Sequence, residues 1–170
     1  MPLAVTHILV PMIFVDFLRD HFFKSHRRKW PNKYIFLVGV AGLIPDADMP
    51  LSILLTGTTQ LHRTFTHTIW LPLIFLVLAA VSYALLRDLK VFGFRLWKSF
   101  LLVSLGISSH LFLDALLAGS VNLLYPLKDM QIGLNLIPED WIWFHSSLDA
   151  LLLLGWLIHE ELEHNISEYF

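Results

Sequence analysis

The chain has 170 residues, 56% of them hydrophobic and only 15% charged, with a formal net charge of −2. Soluble domains run at roughly 45–50% apolar and 25% charged, so the composition excludes an ordinary soluble globule and points to an integral membrane protein, its length fitting one domain over 1–170. Cysteine is absent, which excludes disulfides and thiolate metal sites and leaves His, Asp and Glu as the available metal ligands.

The hydrophobic runs predict five helices, over roughly 3–23, 34–55, 67–86, 98–118 and 146–163. The first, with no basic segment before it and no small-residue cleavage site after it, reads as a retained helix rather than a signal peptide. His7 opens it, and Asp16 and Asp20 near its end are expected to pair with Arg19 or with the basic loop that follows. In the second, Pro45 and Pro50 interrupt the apolar run, so a half-helix and a turn displaying Asp46 and Asp48 are expected. The third carries no charge from Thr68 to Leu86 and is about long enough to cross a bilayer core, with Thr66 as its expected N-cap. The fourth is apolar except for His110 and Asp114 in its last turns; the fifth opens with His145 and Asp149 and closes on the polar residues Glu160, Glu161 and Glu163. His21, His26, His159 and His164 read as solvated.

Basic residues collect in alternate loops. Lys24, Arg27, Arg28, Lys29 and Lys33 follow the first segment, and Arg87, Lys90, Arg95 and Lys98 follow the third, nine of the chain's 12. The loops at 56–66 and 119–145 hold only Arg63 and Lys128. By the positive-inside rule the basic loops face the cytoplasm and the N-terminus lies outside. Topology thus accounts for the basic residues and leaves no surface for nucleic acid. The same layout puts His7, Asp46, Asp48, His62, His67, His110, Asp114, His145 and Asp149 at one level, toward the non-cytoplasmic end of a multi-pass protein of the cell membrane.

Spacing gives these residues a chemistry. His110-Leu-Phe-Leu-Asp114 and His145-Ser-Ser-Leu-Asp149 repeat one pattern, and helix positions i and i+4 lie only about 40° apart on one face. Each pair therefore presents an imidazole nitrogen beside a carboxylate oxygen, a ligand set favoured by zinc and related divalent ions. A charge in an apolar environment costs several kcal/mol unless a partner or metal offsets it. The turn Pro45-Asp46-Ala47-Asp48 suits a bridging or chelating role. His62 and His67, five residues apart, can face one site only if their segment is a loop entering a helix, and Arg63 between them offers a planar donor fork for phosphate.

The ordered set THILVP at 6–11, GLIPDAD at 42–48, HRTFTH at 62–67, SHLFLDAL at 109–116 and NLLYPL at 122–127 resembles the YdjM-like family of inner-membrane metal-dependent hydrolases. A more distant likeness is to zinc-dependent phospholipase C and the single-strand nucleases of the same all-helical fold. That likeness implies an all-α membrane-embedded bundle of about five helices holding two or three divalent ions, zinc foremost. Its ligand order, His, Asp, His, HxxxD and HxxxE, falls here on His7, on Asp46 or Asp48, on His62 or His67, on His110 with Asp114, and on His145 with Asp149. Two departures stand out: Met1 replaces the N-terminal Trp of those secreted enzymes, and their further His has no counterpart between 115 and 144. The activity implied is hydrolysis of a phosphoester, small or lipid-borne, with the lipid bilayer as surroundings, Asp46 or Asp48 as base or metal bridge and Arg63 on the phosphate. The alternatives are a non-catalytic metal-binding membrane protein, including a membrane partner protein in which the motif keeps only structure, and a cation transporter. A transporter calls for ligands near mid-membrane with polar residues continuing beyond them, and Phe75 to Leu86 and Ser99 to Gly106 carry no charge.

Overall fold

The computed structural model describes residues 4–22, 30–59, 62–117, 119–138 and 140–163. Among them are six α-helices: α1 (Ala4–Phe22), α2 (Asn32–Ala41), α3 (Asp48–Thr56), α4 (Trp70–Leu85), α5 (Leu96–Leu117) and α6 (Ile142–Glu163). The all-α expectation holds. Two ribbons that the hydrophobic pattern did not reveal join them, β1 (Lys90–Val91) with β2 (Phe94–Arg95), and β3 (Val121–Asn122) with β4 (Gln131–Ile132), each pair antiparallel.

The second expected segment is broken at Pro45, while Pro50 does not interrupt it but sits in the first turn of α3, where a proline's missing N–H costs no helical bond. A single 3-10 turn, Pro45–Ala47, stands between α2 and α3, whose axes bend by 48°. Pro45 cannot donate the backbone bond that would continue α2. The third segment starts later than expected. Residues 62–69 form turns, and α4 begins at Trp70 after Ile69, which makes no side-chain cap. Thr66 is therefore not the N-cap; its hydroxyl is drawn instead to the Asp48 carboxylate. Among the described residues two helices, α5 and most of α6, are long and apolar enough to cross a membrane, and α2 with the Pro45–Thr56 segment makes a third if the bent pair counts as one span. Of the five expected crossings, α4 is apolar but has only 16 residues. Helix α1 carries Asp16, Arg19 and Asp20 toward its end.

Helices α1, α2 and α5 meet over an apolar core of Leu9, Met12, Val15, Tyr34, Ile35, Val38 and Leu102. Two glycines permit the approach. A Cβ on Gly106 would lie 2.6 Å from the Val38 carbonyl oxygen, and one on Gly42 would lie 2.2 Å from that of His7. Small residues let membrane helices close to backbone contact, where packing rather than a hydrophobic driving force holds them. The far end of the bundle carries charge: Arg19 pairs with Asp16 and bonds Asp20 at 2.9 Å, and the Lys98 ammonium lies over the Trp30 ring at 3.9 Å. Local pairing of Asp16 and Asp20 with Arg19 is as the sequence suggested. Glu160, read from the sequence as part of a polar helix end, is fully buried, because α6 turns it toward Asp16 of α1. His21 is exposed and His159 is half-exposed, 3.8 Å from Asp16. His26, His164 and the basic residues 24 and 27–29 lie outside the described residues.

Candidate metal centre

At the other end, four elements deliver five polar side chains to one place: His7 from the start of α1, Asp46 from the 3-10 turn, His67 from the loop before α4, and His110 with Asp114 from the last turns of α5. His7, His67, His110 and Asp114 are entirely buried. His67 Nε2 lies 3.3 Å from His110 Nε2. Asp46 Oδ1 is 3.5 Å from each of those nitrogens, and Asp114 Oδ2 is 3.6 Å from the first and 3.5 Å from the second. Around a tetrahedral ion with nitrogen and oxygen bonds of about 2.0–2.2 Å, ligand atoms sit about 3.3–3.6 Å apart. All five distances fall in that range. Asp114 also reaches His7, whose Nε2 is 3.5 Å from Oδ1, and the His7 ring stacks on that of His110 with centroids 3.9 Å apart.

The tautomers are set by what lies behind the rings. His110 Nδ1 lies 2.7 Å from the Gly42 carbonyl oxygen, which can only accept, so Nδ1 carries the proton and Nε2 presents its lone pair to the cluster. His67 Nδ1–H donates to the Thr66 hydroxyl at 3.1 Å, and that hydroxyl donates to Asp48. Such outer partners orient metal-bound histidines and raise their basicity. Asp48 is otherwise engaged with its own loop: Oδ1 meets His62 Nδ1 at 2.7 Å and Oδ2 accepts the Arg63 backbone N–H at 3.1 Å. Arg63 has a positive φ of 61°, a conformation costly for a non-glycine residue and kept only where the surroundings enforce it. That bend lets His62 and His67 turn to one site, their rings 5.1 Å apart.

The charge balance tests whether an ion fits. Asp114 has both oxygens buried with no hydrogen-bond donor, and Asp46 Oδ1 is in the same position. The nearest cation to Asp114 is the Arg63 guanidinium, at 3.7 Å. A carboxylate buried without donors costs several kcal/mol, and a divalent cation among these atoms removes that cost. The residues present fit a metal ion. Three overlapping ligand groups occur here: His7, His110 and Asp114; Asp46, His67 and His110; Asp48, His62 and His67. The centre is sealed on most sides and opens where Asp46 and Arg63 lie, their side chains 30% and 22% exposed.

The second HxxxD pair stands beside this cluster. Asp149 accepts the backbone N–H of Thr6 at 3.0 Å and its hydroxyl, satisfying an N–H in the first turn of α1 that has no intrahelical acceptor. His145 is buried with neither ring nitrogen hydrogen-bonded, and it joins none of the three groups. Thr6, Gly42 and Thr66 are positioning residues that spacing alone did not single out. Their signal was adjacency, since each lies within the short motifs that carry the ligands.

The model of one protein family, described as YdjM inner membrane protein, matches residues 1–166. No curated protein and no solved structure matches the chain.

Proposed function

The chain belongs to the YdjM inner membrane protein family, and from that premise we propose that it is a membrane-bound metal-dependent hydrolase acting on a phosphoester borne by a phospholipid or another lipid-linked phosphate. The observation that carries this reading is the cluster of buried ligand atoms of His67, His110 and Asp114, 3.3–3.6 Å apart, which opens where Asp46 and Arg63 stand. A structural metal site is usually shut; a catalytic one keeps an approach for water and substrate. In this reading His67, His110 and Asp114 would hold a divalent ion, zinc by its ligand set, with Asp46 beside it at the open edge, and His7 on the second oxygen of Asp114 would serve an adjoining one.

When bound, such an ion supplies Lewis-acid polarisation of a phosphoryl oxygen and a water acidified toward neutrality. The protein's own groups do the rest. Arg63, at the open edge, offers its donor fork to the non-bridging oxygens and offsets charge that grows there in the transition state. Asp46, the one carboxylate of the cluster that is partly open, accepts the proton of an attacking water. Asp48 is spent on its loop and holds Arg63 and His67 in place.

Two features support placing the site at the non-cytoplasmic face. It lies at the end of the bundle opposite Lys33, Lys90, Arg95 and Lys98, residues of the basic segments; Lys33 bonds the Gly93 carbonyl and Tyr34 receives the Arg95 N–H there. Between the two ends lies the apolar core of Leu9, Met12, Val15, Ile35, Val38 and Leu102. That barrier also argues against ion transport, which needs polar groups along the route. The test is metal analysis of the purified protein together with a screen of lipid phosphoesters, repeated on His110→Ala and Asp114→Ala. Bound metal and phosphoester turnover in the parent, both lost in the variants, are expected. Full metal occupancy in both variants would sink the ligand assignment, and a metal-replete parent inert on every ester would sink the hydrolase.

A further inference from the structure

Beside the metal centre, on the next face of α5, runs a groove of about 370 Å³ whose lining is almost wholly apolar, walled by Leu111, Phe112, Ala115, Ile69, Leu123 and Leu134. Its one further polar residue is Ser108, whose hydroxyl donates to the Ser104 carbonyl at 2.8 Å. The walls are tied to one another through the backbone. The Ile69 N–H bonds Leu123 O at 2.9 Å, and the Leu134 N–H bonds Ala115 O at 2.7 Å. The second of these uses a carbonyl of the last helical turn of α5, which has no partner within the helix. These bonds fix the backbones of the walls relative to one another.

We propose that this groove seats one acyl chain of the lipid phosphoester whose phosphate lies on the metal centre, which deepens the hydrolase reading and rests on it. Three observations select that occupant. The groove starts where the ligands are: Leu111 follows His110, Ala115 follows Asp114, and Ile69 lies two residues beyond His67. Its head offers an anion the Arg63 guanidinium, beside ligands that would hold a cation. Its outer side is continuous with the exposed apolar surface, since Phe112 is 63% exposed. From Ser108 to Leu116 the groove follows about 12 Å of helix. Lipid tails are as apolar as leucine, so moving a chain from the bilayer into the groove adds little affinity. Its contribution is alignment, which brings the phosphate of a two-dimensional substrate to a fixed point.

The test uses phosphatidic acid with a photoactivatable group in one acyl chain, in phosphatidylcholine vesicles holding the full chain, beside a diacylglycerol with the same chain. Phosphatidic acid is expected to label the peptides around Leu111 to Ala115 and Ile132 to Leu134 several-fold more than the diacylglycerol does. That excess should vanish in Ala115→Trp and in Ile132→Trp, with bound metal at the parental level reporting an intact fold. Equal labelling by the two probes, or an excess that survives both variants, overturns the groove. Phosphate release from a soluble phosphomonoester separates the two readings. Release without groove preference removes the groove and leaves the hydrolase, whereas preference without release from any ester removes the hydrolase and leaves a lipid-phosphate site.

Discussion

The carboxylates of the turn 46–48 are two residues apart and chemically alike, yet they face opposite needs. Asp46 Oδ1 meets two histidine nitrogens and no donor, while Asp48 accepts from a loop amide and a threonine hydroxyl and holds His62. Outer partners of metal ligands typically change affinity by about 10–100-fold when removed. Asp48→Asn is therefore expected to weaken metal binding by about that factor without emptying the site, measured by competition with a chelating dye. Affinity equal to the parent's would refute the positioning role, and complete loss of one ion would make Asp48 a ligand. His110 shows the same logic from the other side. Its carbonyl partner comes from Gly42, at a point where α2 can accept neither a side chain nor a continued helix.

At the scale of elements, α1 and α6 are linked at both ends by carboxylates: Asp149 on the first turn of α1, and Asp16 on α1 close to His159. The two helices thus run parallel, and Asp149 acts as an N-terminal cap supplied by a neighbouring helix. Hydrogen bonds to charged groups contribute about 1.5–3 kcal/mol each, and removing an acceptor strands the donor. Asp149→Ala should destabilise the detergent-solubilised protein by about 1–3 kcal/mol in chemical denaturation while its metal content stays at the parental value. A fall in metal content would show that the second HxxxD pair ligates after all. The loops are equally specific: the segment 134–137 after β4 covers the last carbonyls of α5 through Leu134, Leu136 and Ile137, and so finishes the helix that carries His110 and Asp114.

For the whole molecule, the exposed apolar residues of α4 and α6, among them Ile74, Val77, Leu151 and Leu154, belong against lipid. With the metal centre at one end and Lys33, Arg95 and Lys98 toward the other, the membrane orientation becomes measurable. The chain has no cysteine of its own, so single cysteines report cleanly. Thr58→Cys, in the exposed loop at the metal end, is expected to react with a membrane-impermeant maleimide from the non-cytoplasmic side of intact cells, and Phe92→Cys, 94% exposed on the β1–β2 turn, only after permeabilisation. The reverse pattern would place the centre at the cytoplasmic face.

Much of this was legible in the residues. The apolar runs fixed where most helices lie, because burial in lipid or in a bundle requires unbroken hydrophobicity. Pro45 announced the break before α3, whereas Pro50, in the first turn of α3, interrupts nothing; the i, i+4 spacing of His110 and Asp114 put both on one face. The ordered motifs named the family. What periodicity could not give was the partner of each polar atom, since that depends on residues far apart in the chain. Asp149 opposite Thr6, Gly42 behind His110 and Glu160 buried against α1 are all contacts made only on packing. The start of α4 was misread for the same reason: Thr66 has the composition of a cap, and only the fold brings Asp48 close enough to claim its hydroxyl. The sequence by itself determined which residues could bind a metal; tertiary structure decided which of them share one centre and which hold the others in place, because ligand geometry is a property of atoms in space and spacing along a helix fixes only the nearest pairs.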